Sequence, residues 1–122
     1  MTDTLDWPRI ADDLNTRGWS VVGPLLTPAT CQALQALYDQ PERFRSRIVM
    51  ARHGFGRGEY QYFAQPLPEV IAALRTLIYG RLAPIANRWN AALGIAQRYP
   101  DALDDFLALC HAQGQERPTP LL

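Results

Sequence analysis

The stretch Arg43–Phe63, RFRSRIVMARHGFGRGEYQYF, decides how the rest of the chain is interpreted. It contains five of the twelve arginines, one of the two histidines and three of the eight glycines. Two short segments that read as strands, Arg45–Met50 and Tyr60–Phe63, are separated by the glycine-rich run His53–Gly58. This order is typical of a β-hairpin. The stretch is therefore predicted to form two strands joined by a turn.

The two-residue period of a strand assigns these side chains to faces. Arg45 and Arg47 are expected on one face of the first strand, which is therefore strongly basic near its start. Tyr60 and Tyr62 are expected to share one face of the return strand. A basic and aromatic hairpin of this kind is the first place to look for a binding surface.

Helices are predicted on both sides of the hairpin, from capping residues and apolar periodicity. Trp19–Val22 is interpreted as a possible short strand, and Arg117–Leu122 as the approach to a further strand. Pro84 is expected to kink the third helix or divide it into two. The predicted class is α+β, mainly helical with a few strands. The expected helices run from Asp6 to Gly18, from Thr27 to Asp39, from Pro66 to Gly94 and from Asp101 to Gly114.

The length and composition are those of an ordinary globular protein. A length of 122 residues fits one domain or part of one, and 48% hydrophobic with 20% charged residues argues against disorder. The net charge of zero gives no overall attraction to nucleic acid or membrane, so such a preference requires a local patch. Met1–Thr4 does not resemble a signal peptide and no apolar run can span a bilayer, so a cytoplasmic protein is expected.

The sequence lacks the residues that several classes of enzyme chemistry require. All twelve basic residues are arginine, which excludes a Schiff-base lysine and a phosphate-loop lysine. No GxSxG motif supports a serine hydrolase. Cys31 and Cys110 are predicted to be buried, reduced thiols on the apolar faces of helices. The tryptophans are predicted to lie in the core: Trp7, Trp19 and Trp89.

Metal ligation is also poorly supported. A two-histidine, one-carboxylate iron site commonly uses His-x-Asp, whereas Phe55 follows His53 and Gln113 follows His111 at that spacing. His53 is interpreted as a turn residue and His111 as a cation at a helix C-terminus. An acidic cluster is interpreted as the first turn of the last helix rather than as a magnesium site: Asp101, Asp104 and Asp105.

Two further features of the predicted hairpin bear on binding: a possible RNA-recognition motif and the five arginines. His53–Gly56 is similar to the start of an RNA-recognition signature, but Arg57 and Gly58 stand where an aromatic and an aliphatic residue are needed. The five arginines suit phosphate or carboxylate binding, and equally suit a solvated strand face that resists edge pairing. The sequence leaves these two alternatives open.

An extended pattern carries a resemblance to a known group. It comprises Arg52–Phe63, Pro66–Pro68 and Leu82–Asn90, with Gly18–Val22 upstream. From about Leu5 onward the chain resembles the N-terminal half of bacterial 2-oxoglutarate/Fe(II)-dependent oxygenases. This group has been assigned to oxidative dealkylation of damaged nucleic acid, and some of its members are described as prolyl-hydroxylase-like.

The resemblance implies a helical layer packed against a double-stranded β-helix (jelly roll). In such enzymes His-x-Asp and a later histidine hold Fe(II), and a nearby basic residue anchors 2-oxoglutarate. None of these ligands matches a position in this sequence. Residues 1–122 are therefore expected to be a single partial domain, truncated before the metal-binding strands. Alone, the chain is expected to be inactive, to bind neither cofactor and to expose apolar surface.

The complete enzyme implied by the resemblance uses 2-oxoglutarate and O₂ to oxidise a nucleic acid or a prolyl peptide. It is not expected to bind a membrane. No catalytic or metal-binding residue is assigned within the chain. Its predicted substrate-binding residues are Arg52, Arg57, Tyr60 and Tyr62, at the mouth of the site. One alternative is a non-enzymatic module that binds nucleic acid or an acidic partner through residues 43–63. Another is a helical interaction domain in which the hairpin is only structural.

Overall fold

The structure of the protein, a computed structural model, describes residues 4–122. The first three residues, used above to judge whether a leader is present, lie outside this range. The described chain is α+β, with a two-stranded antiparallel sheet among its helices, which confirms the predicted class. In chain order the elements are α1 (Trp7–Arg17), α2 (Pro28–Ala36), β1 (Phe44–Val49), β2 (Glu59–Phe63), α3 (Glu69–Ala92) and α4 (Leu103–Ala112).

The chain divides into two compact units. The first, called the helical unit, contains the residues up to Leu25 and Ala72–Glu116, with α1, most of α3 and α4. The second, called the hairpin unit, contains Leu26–Ile71 and Arg117–Leu122, with α2, β1 and β2. That residues 1–122 form a single partial domain stays a prediction.

Local capping signals set the ends of the first two helices. The side chain of Asp6 accepts a hydrogen bond from the Arg9 amide at 3.1 Å, and Gly18 ends α1 with a φ of 80°. Thr27 caps α2 in the same way, because its hydroxyl accepts from the Thr30 amide at 3.1 Å. Both starts and the Gly18 stop agree with the sequence prediction.

The predicted strand at Trp19–Val22 is wrong, because this segment is irregular. The guanidinium of Arg17 lies 4.4 Å from the centre of the Trp19 ring, and Arg9 donates to the Val21 carbonyl at 3.3 Å. These contacts with the neighbouring helix take the place of strand pairing. No described strand pairs with the segment, and a strand alone cannot satisfy its backbone.

The predicted division of the third helix into two is wrong, since α3 runs as one helix through Pro84. A kink at Pro84 stays a prediction. Pro84 itself is exposed, whereas Ala83 and Ile85 beside it are buried at 4% and 5% exposure. Burial of neighbouring apolar side chains offsets the one backbone hydrogen bond that proline removes.

An aromatic cluster joins α3, α4 and the loop between them in the helical unit. The Phe106 ring stacks on Tyr79 at 5.5 Å and meets the edge of Tyr99 at 5.8 Å. The Asn87 side chain donates to the Tyr99 carbonyl at 3.0 Å and accepts from the Tyr99 amide at 2.7 Å. These contacts position the loop, and α4 begins at Leu103, two residues later than predicted.

The buried core of the described chain is small. Ile10, Ala83 and Ile85 are its buried hydrophobic residues in the helical unit, and Phe63 is the one in the hairpin unit. Two predicted core residues, Trp19 and Trp89, are 54% and 39% exposed, so that prediction was wrong for them. Other large hydrophobic side chains are exposed as well: Val21, Phe55, Leu77, Leu82, Leu93, Ile95, Leu109 and Leu121.

The two cysteines are free thiols, but their surroundings differ from the prediction. Cys31 is exposed and Cys110 is half-buried. The expectation of a buried thiol was therefore wrong for Cys31, because the face of α2 that carries it is not covered.

No helix among residues 4–122 has the length and apolar character needed to cross a membrane.

Candidate functional site

A β-bulge sets the register of the hairpin. Phe44 pairs with Phe63 and Ser46 pairs with Tyr62, so Arg45 is an extra residue in β1. Beyond the bulge the pairing is regular through Val49 and Glu59. A bulge places two residues of one strand opposite one residue of its partner, and therefore breaks the alternation of faces at that point.

The bulge separates two arginines that were predicted to share a face. The guanidinium of Arg45 lies 4.5 Å from the centre of the Tyr62 ring, whereas Arg47 binds Glu59. Tyr62 and Glu59 belong to opposite faces of β2, since they are three residues apart. The prediction of one strongly basic strand face is therefore wrong.

The first face of the sheet, called the tyrosine face, carries Tyr60 and Tyr62. Their rings meet edge to face with centres 5.6 Å apart, which confirms that they share a face. Arg45 covers Tyr62 and also donates through Nε to the Pro118 carbonyl at 2.8 Å. Among the described residues, neither tyrosine hydroxyl has a hydrogen-bond partner. The tyrosine face therefore offers two hydroxyls to an outside ligand.

The far edge of β2 is partly covered by the segment Pro118–Leu122. Leu121 forms an antiparallel bridge with Tyr62, and the backbones of Gln61 and Leu122 exchange two hydrogen bonds of 2.9 Å. The Phe63 amide donates to the Pro120 carbonyl at 2.9 Å. The sequence prediction of a strand approach in this segment is confirmed, and the pairing fixes the position of the return strand.

The opposite face of the sheet is built around an ion pair. Arg47 binds the Glu59 carboxylate through two nitrogens, at 2.5 and 2.8 Å, and the Tyr38 hydroxyl donates to the same carboxylate at 2.7 Å. Gln61, which is buried, donates to the Tyr38 carbonyl at 2.9 Å. An open groove of about 590 Å³ lies beside these side chains and extends along β1 to the bulge, so its lining also includes Asp39, Pro41, Phe44, Arg45 and Ser46.

The hydrogen bonds from Arg47 and then from Tyr38 lower the pKa of Glu59 from 4.5 to about 2. The hydrogen bond to Glu59 raises the pKa of Tyr38. Both shifts favour the charged carboxylate beside a neutral phenol. Through Glu59, this arrangement connects Tyr38, which follows α2, to the hairpin. Arg47 is bound to the same carboxylate and is therefore unavailable for a ligand.

This geometry predicts an acid-sensitive step. Because the folded pKa of Glu59 lies below its ordinary value, the ion pair contributes its full stabilisation above pH 4.5 and loses it as pH falls toward about 2. Carbon NMR of the Glu59 carboxyl is expected to show titration well below pH 4.5. In a Glu59→Gln variant, the melting temperature is expected to change less over this pH window. Titration of Glu59 near 4.5 would contradict the geometry.

The connecting turn, Met50–Gly58, differs from the strands in the exposure of its side chains. Its backbone closes through a hydrogen bond of 3.0 Å from the Met50 amide to the Gly58 carbonyl. All of its residues from 51 to 58 are exposed, and the rings of His53 and Phe55 stack with centres 6.5 Å apart. The large exposed side chains are Arg52, His53, Phe55 and Arg57.

The arginines of the hairpin thus fall into two groups. Those at the strands are held by the protein: Arg43 by Gln40, Arg45 by Pro118 and Arg47 by Glu59. Within residues 4–122, Arg52 and Arg57 of the turn make neither a hydrogen bond nor a salt bridge. These two guanidinium groups are the ones in the hairpin that remain available to an anion.

The four predicted substrate-binding residues all lie on the hairpin. Arg52 and Arg57 are in the turn, and Tyr60 and Tyr62 are on β2. The sequence prediction did not include two aromatic side chains beside the arginines, His53 and Phe55. The available signal was a phenylalanine between two glycines in a predicted turn, where no core is available to bury it.

The described residues do not form the iron site that the resemblance implies. In the range 4–122 no group of three histidine, cysteine, aspartate or glutamate side chains is placed to hold a metal ion. His53 is exposed in the turn, and His111 lies in the last turn of α4. Asp104 and Asp105 lie in the first turn of α4, where the helix dipole favours them.

Comparison with known proteins identifies the family to which the chain belongs. A family model described as "Oxygenase, catalysing oxidative methylation of damaged DNA", and called Oxygenase-NA, matches residues 58–122, more than half of the chain. The match includes β2 with both tyrosines, α3 and α4. The chain therefore belongs to the Oxygenase-NA family.

The chain is also similar to two proteins from Mycobacterium tuberculosis. They are the uncharacterized protein MT2286 of strain CDC 1551 and the uncharacterized protein Rv2227 of strain H37Rv. Each is 50% identical over 60 residues, which are 49% of this chain and 26% of the relative. The chain thus matches about a quarter of the length of each relative. No solved structure matches the chain.

Proposed function

We propose that this chain is the substrate-binding part of a 2-oxoglutarate/Fe(II)-dependent oxygenase that acts on damaged DNA. The observation that carries the proposal is the pair of unengaged guanidinium groups, Arg52 and Arg57, on the same hairpin as Tyr60 and Tyr62. The family description supports an oxygenase of damaged DNA, and the sequence resemblance supports the cofactors.

The residue types suit an alkylated nucleic acid. A guanidinium binds phosphate through two parallel hydrogen bonds, and Arg52 and Arg57 have all their donors available for this. The hydroxyls of Tyr60 and Tyr62 can donate to a base or a sugar, while Arg45 holds the Tyr62 ring in place. A prolyl peptide remains the alternative substrate of the same surface.

In this proposal the iron and 2-oxoglutarate bind outside residues 4–122, in the complete enzyme, because the described residues lack a ligand set. The match to each relative covers 26% of the relative's length, which leaves room for the proposed jelly roll elsewhere in a complete enzyme. The chain alone is proposed to be inactive and to bind neither cofactor. The complete enzyme is proposed to be cytoplasmic.

The test is a double substitution, Tyr60→Phe with Tyr62→Phe, in the complete enzyme. Loss of two hydroxyl hydrogen bonds, each contributing about 0.5–1.5 kcal/mol, is expected to lower turnover of an alkylated oligonucleotide about tenfold. Iron affinity is expected to stay unchanged, since neither tyrosine is a proposed ligand. Turnover is measured as succinate formed from 2-oxoglutarate in the presence of Fe(II).

Tyr99→Phe is the matched control, because it removes a phenol that has no hydrogen-bond partner among the described residues and lies in the helical unit. It is expected to leave turnover unchanged. Equal turnover in the double variant and the wild type would remove the two tyrosines from the site. A complete enzyme that forms no succinate with Fe(II) would refute the proposed cofactors.

A non-enzymatic binding module is the second candidate. The same observation favours it, because the two available arginines and the exposed ring of Phe55 need no metal in order to bind an anion. Binding that weakens steeply with salt and is indifferent to iron and 2-oxoglutarate, in a complete protein without turnover, would select this candidate.

A further inference from the structure

We propose that the turn Met50–Gly58 is a stacking element for an unpaired base of single-stranded DNA. Phe55, backed by His53, supplies the ring surface, and Arg52 and Arg57 bind the flanking phosphates. The choice of DNA rests on the proposed function. The stacking role rests on the turn itself, and neither His53 nor Phe55 was among the predicted substrate-binding residues.

Phe55 does not contribute to the core of the hairpin unit. Its side chain is 73% exposed, while Phe63 and Phe44 of the adjoining strands stack on each other inside the unit at 4.9 Å. Its ring neighbour among the described residues is His53, whose ring is inclined to it by 25°. An exposed phenylalanine backed by a second ring is a ready platform for a third planar group.

The backbone of the turn holds Phe55 in its exposed position. The Phe55 amide donates to the Met50 carbonyl at 3.2 Å, within a turn closed by the bond between Met50 and Gly58. Gly56 and Gly58 both have a φ of 99°, a conformation that residues with side chains rarely adopt. The exposed position of the ring is thus fixed by a defined turn, so little ordering is needed on binding.

The turn is also positively charged. Arg52 and Arg57 flank the two rings in sequence, and the turn contains no acidic residue. The next residue along the chain, Glu59, is already bound by Arg47 and Tyr38. Arg52 also interacts electrostatically with Glu59, without a hydrogen bond or salt bridge between them. The hairpin therefore neutralises the positive charge of the turn only in part, and this charge lies beside an aromatic surface.

Together these features favour an unpaired strand over other anions. An acidic peptide would satisfy the arginines and leave the ring surface in water. A duplex would present phosphates while its base faces stay stacked on one another. An unpaired strand offers both a phosphate and an open base face within one nucleotide.

The experiment uses the full 122-residue chain and a fluorescein-labelled DNA oligonucleotide of about 20 nucleotides, either single-stranded or annealed to its complement. Fluorescence anisotropy gives the Kd for each form without iron or 2-oxoglutarate. Phe55→Ala is expected to weaken single-strand binding by about five- to 150-fold, the loss of one stacked base at about 1–3 kcal/mol. Duplex binding is expected to change by less than about twofold.

Two controls separate stacking from other effects. Leu93→Ala removes an equally exposed apolar side chain, also 73%, from the helical unit and is expected to change neither Kd. Phe55→Trp keeps an aromatic face and is expected to retain single-strand binding. Arg52→Gln with Arg57→Gln is expected to weaken both forms, and to reduce the salt slope of single-strand binding by about 1.4.

The proposal is overturned if the chain does not bind the single strand at low salt, or if Phe55→Ala leaves its Kd unchanged. It is equally overturned if the substitution weakens both forms alike, or if polyglutamate competes as well as the single strand. Succinate formation by the complete enzyme is a separate readout. Turnover without Phe55-dependent binding refutes the stacking role alone, and stacking without turnover refutes the oxygenase proposal alone.

Discussion

Replacing Phe63 with alanine is expected to lower the free energy of unfolding of the hairpin unit by about 3–5 kcal/mol, the usual cost of truncating a buried phenylalanine. Phe63 is 1% exposed and is the largest fully buried side chain of the described residues. Its ring stacks on Phe44, and its amide donates to Pro120. The substitution therefore leaves a cavity at the position where the sheet and the segment Pro118–Leu122 meet.

Hydrogen exchange provides the measurement, because the amides of Gln61 and Phe63 donate to carbonyls of this segment at 2.9 Å. Both amides are expected to lose most of their protection in the variant. Phe55→Ala makes the same chemical change at an exposed position and is expected to cost less than about 0.5 kcal/mol. If the two variants lost protection to the same extent, Phe63 would not be the core of the hairpin unit.

The parts of the fold that the sequence predicted are those with local causes. Asp6 and Thr27 cap helices through their own side chains, and Gly18 ends a helix through its own φ. The hairpin was predictable because its turn carries three glycines between strand-forming segments. In each case the residues that decide the structure are close together in the chain.

The errors have non-local causes. A strand at Trp19–Val22 needed a partner strand, and sequence alone does not reveal its absence. A break at Pro84 was the local rule, but Ala83 and Ile85 are buried on either side of it. The bulge at Arg45 depends on how two strands are paired, which the two-residue period of one strand does not contain.

In the candidate site, most of the arginines of the hairpin are bound by other parts of the protein. A count of five arginines suggests one broad basic surface, but the partners Gln40, Pro118 and Glu59 engage three of them. What remains is a small basic turn with exposed rings. Sequence alone left phosphate binding and a solvated strand face as equal alternatives. The observed partners give the arginines at the strands structural roles, and phosphate binding is proposed for the turn only.

The helical unit is expected to depend on one residue as strongly as the hairpin unit depends on Phe63. Replacing Ile85 with alanine is expected to lower its free energy of unfolding by about 2–5 kcal/mol. Ile85 is 5% exposed on α3, next to Pro84. Alanine has the higher helix propensity of the two residues, so any loss of stability reports the missing burial and not a weaker helix.

Tryptophan fluorescence during urea unfolding gives the measurement, because all three tryptophans belong to this unit: Trp7, Trp19 and Trp89. Leu82→Ala on the same helix is the matched control. Leu82 is 39% exposed, so its truncation removes less buried area and is expected to shift the urea midpoint much less. Equal shifts in the two variants would show that burial beside Pro84 is not what keeps α3 continuous, and the lost backbone hydrogen bond would then need another compensation.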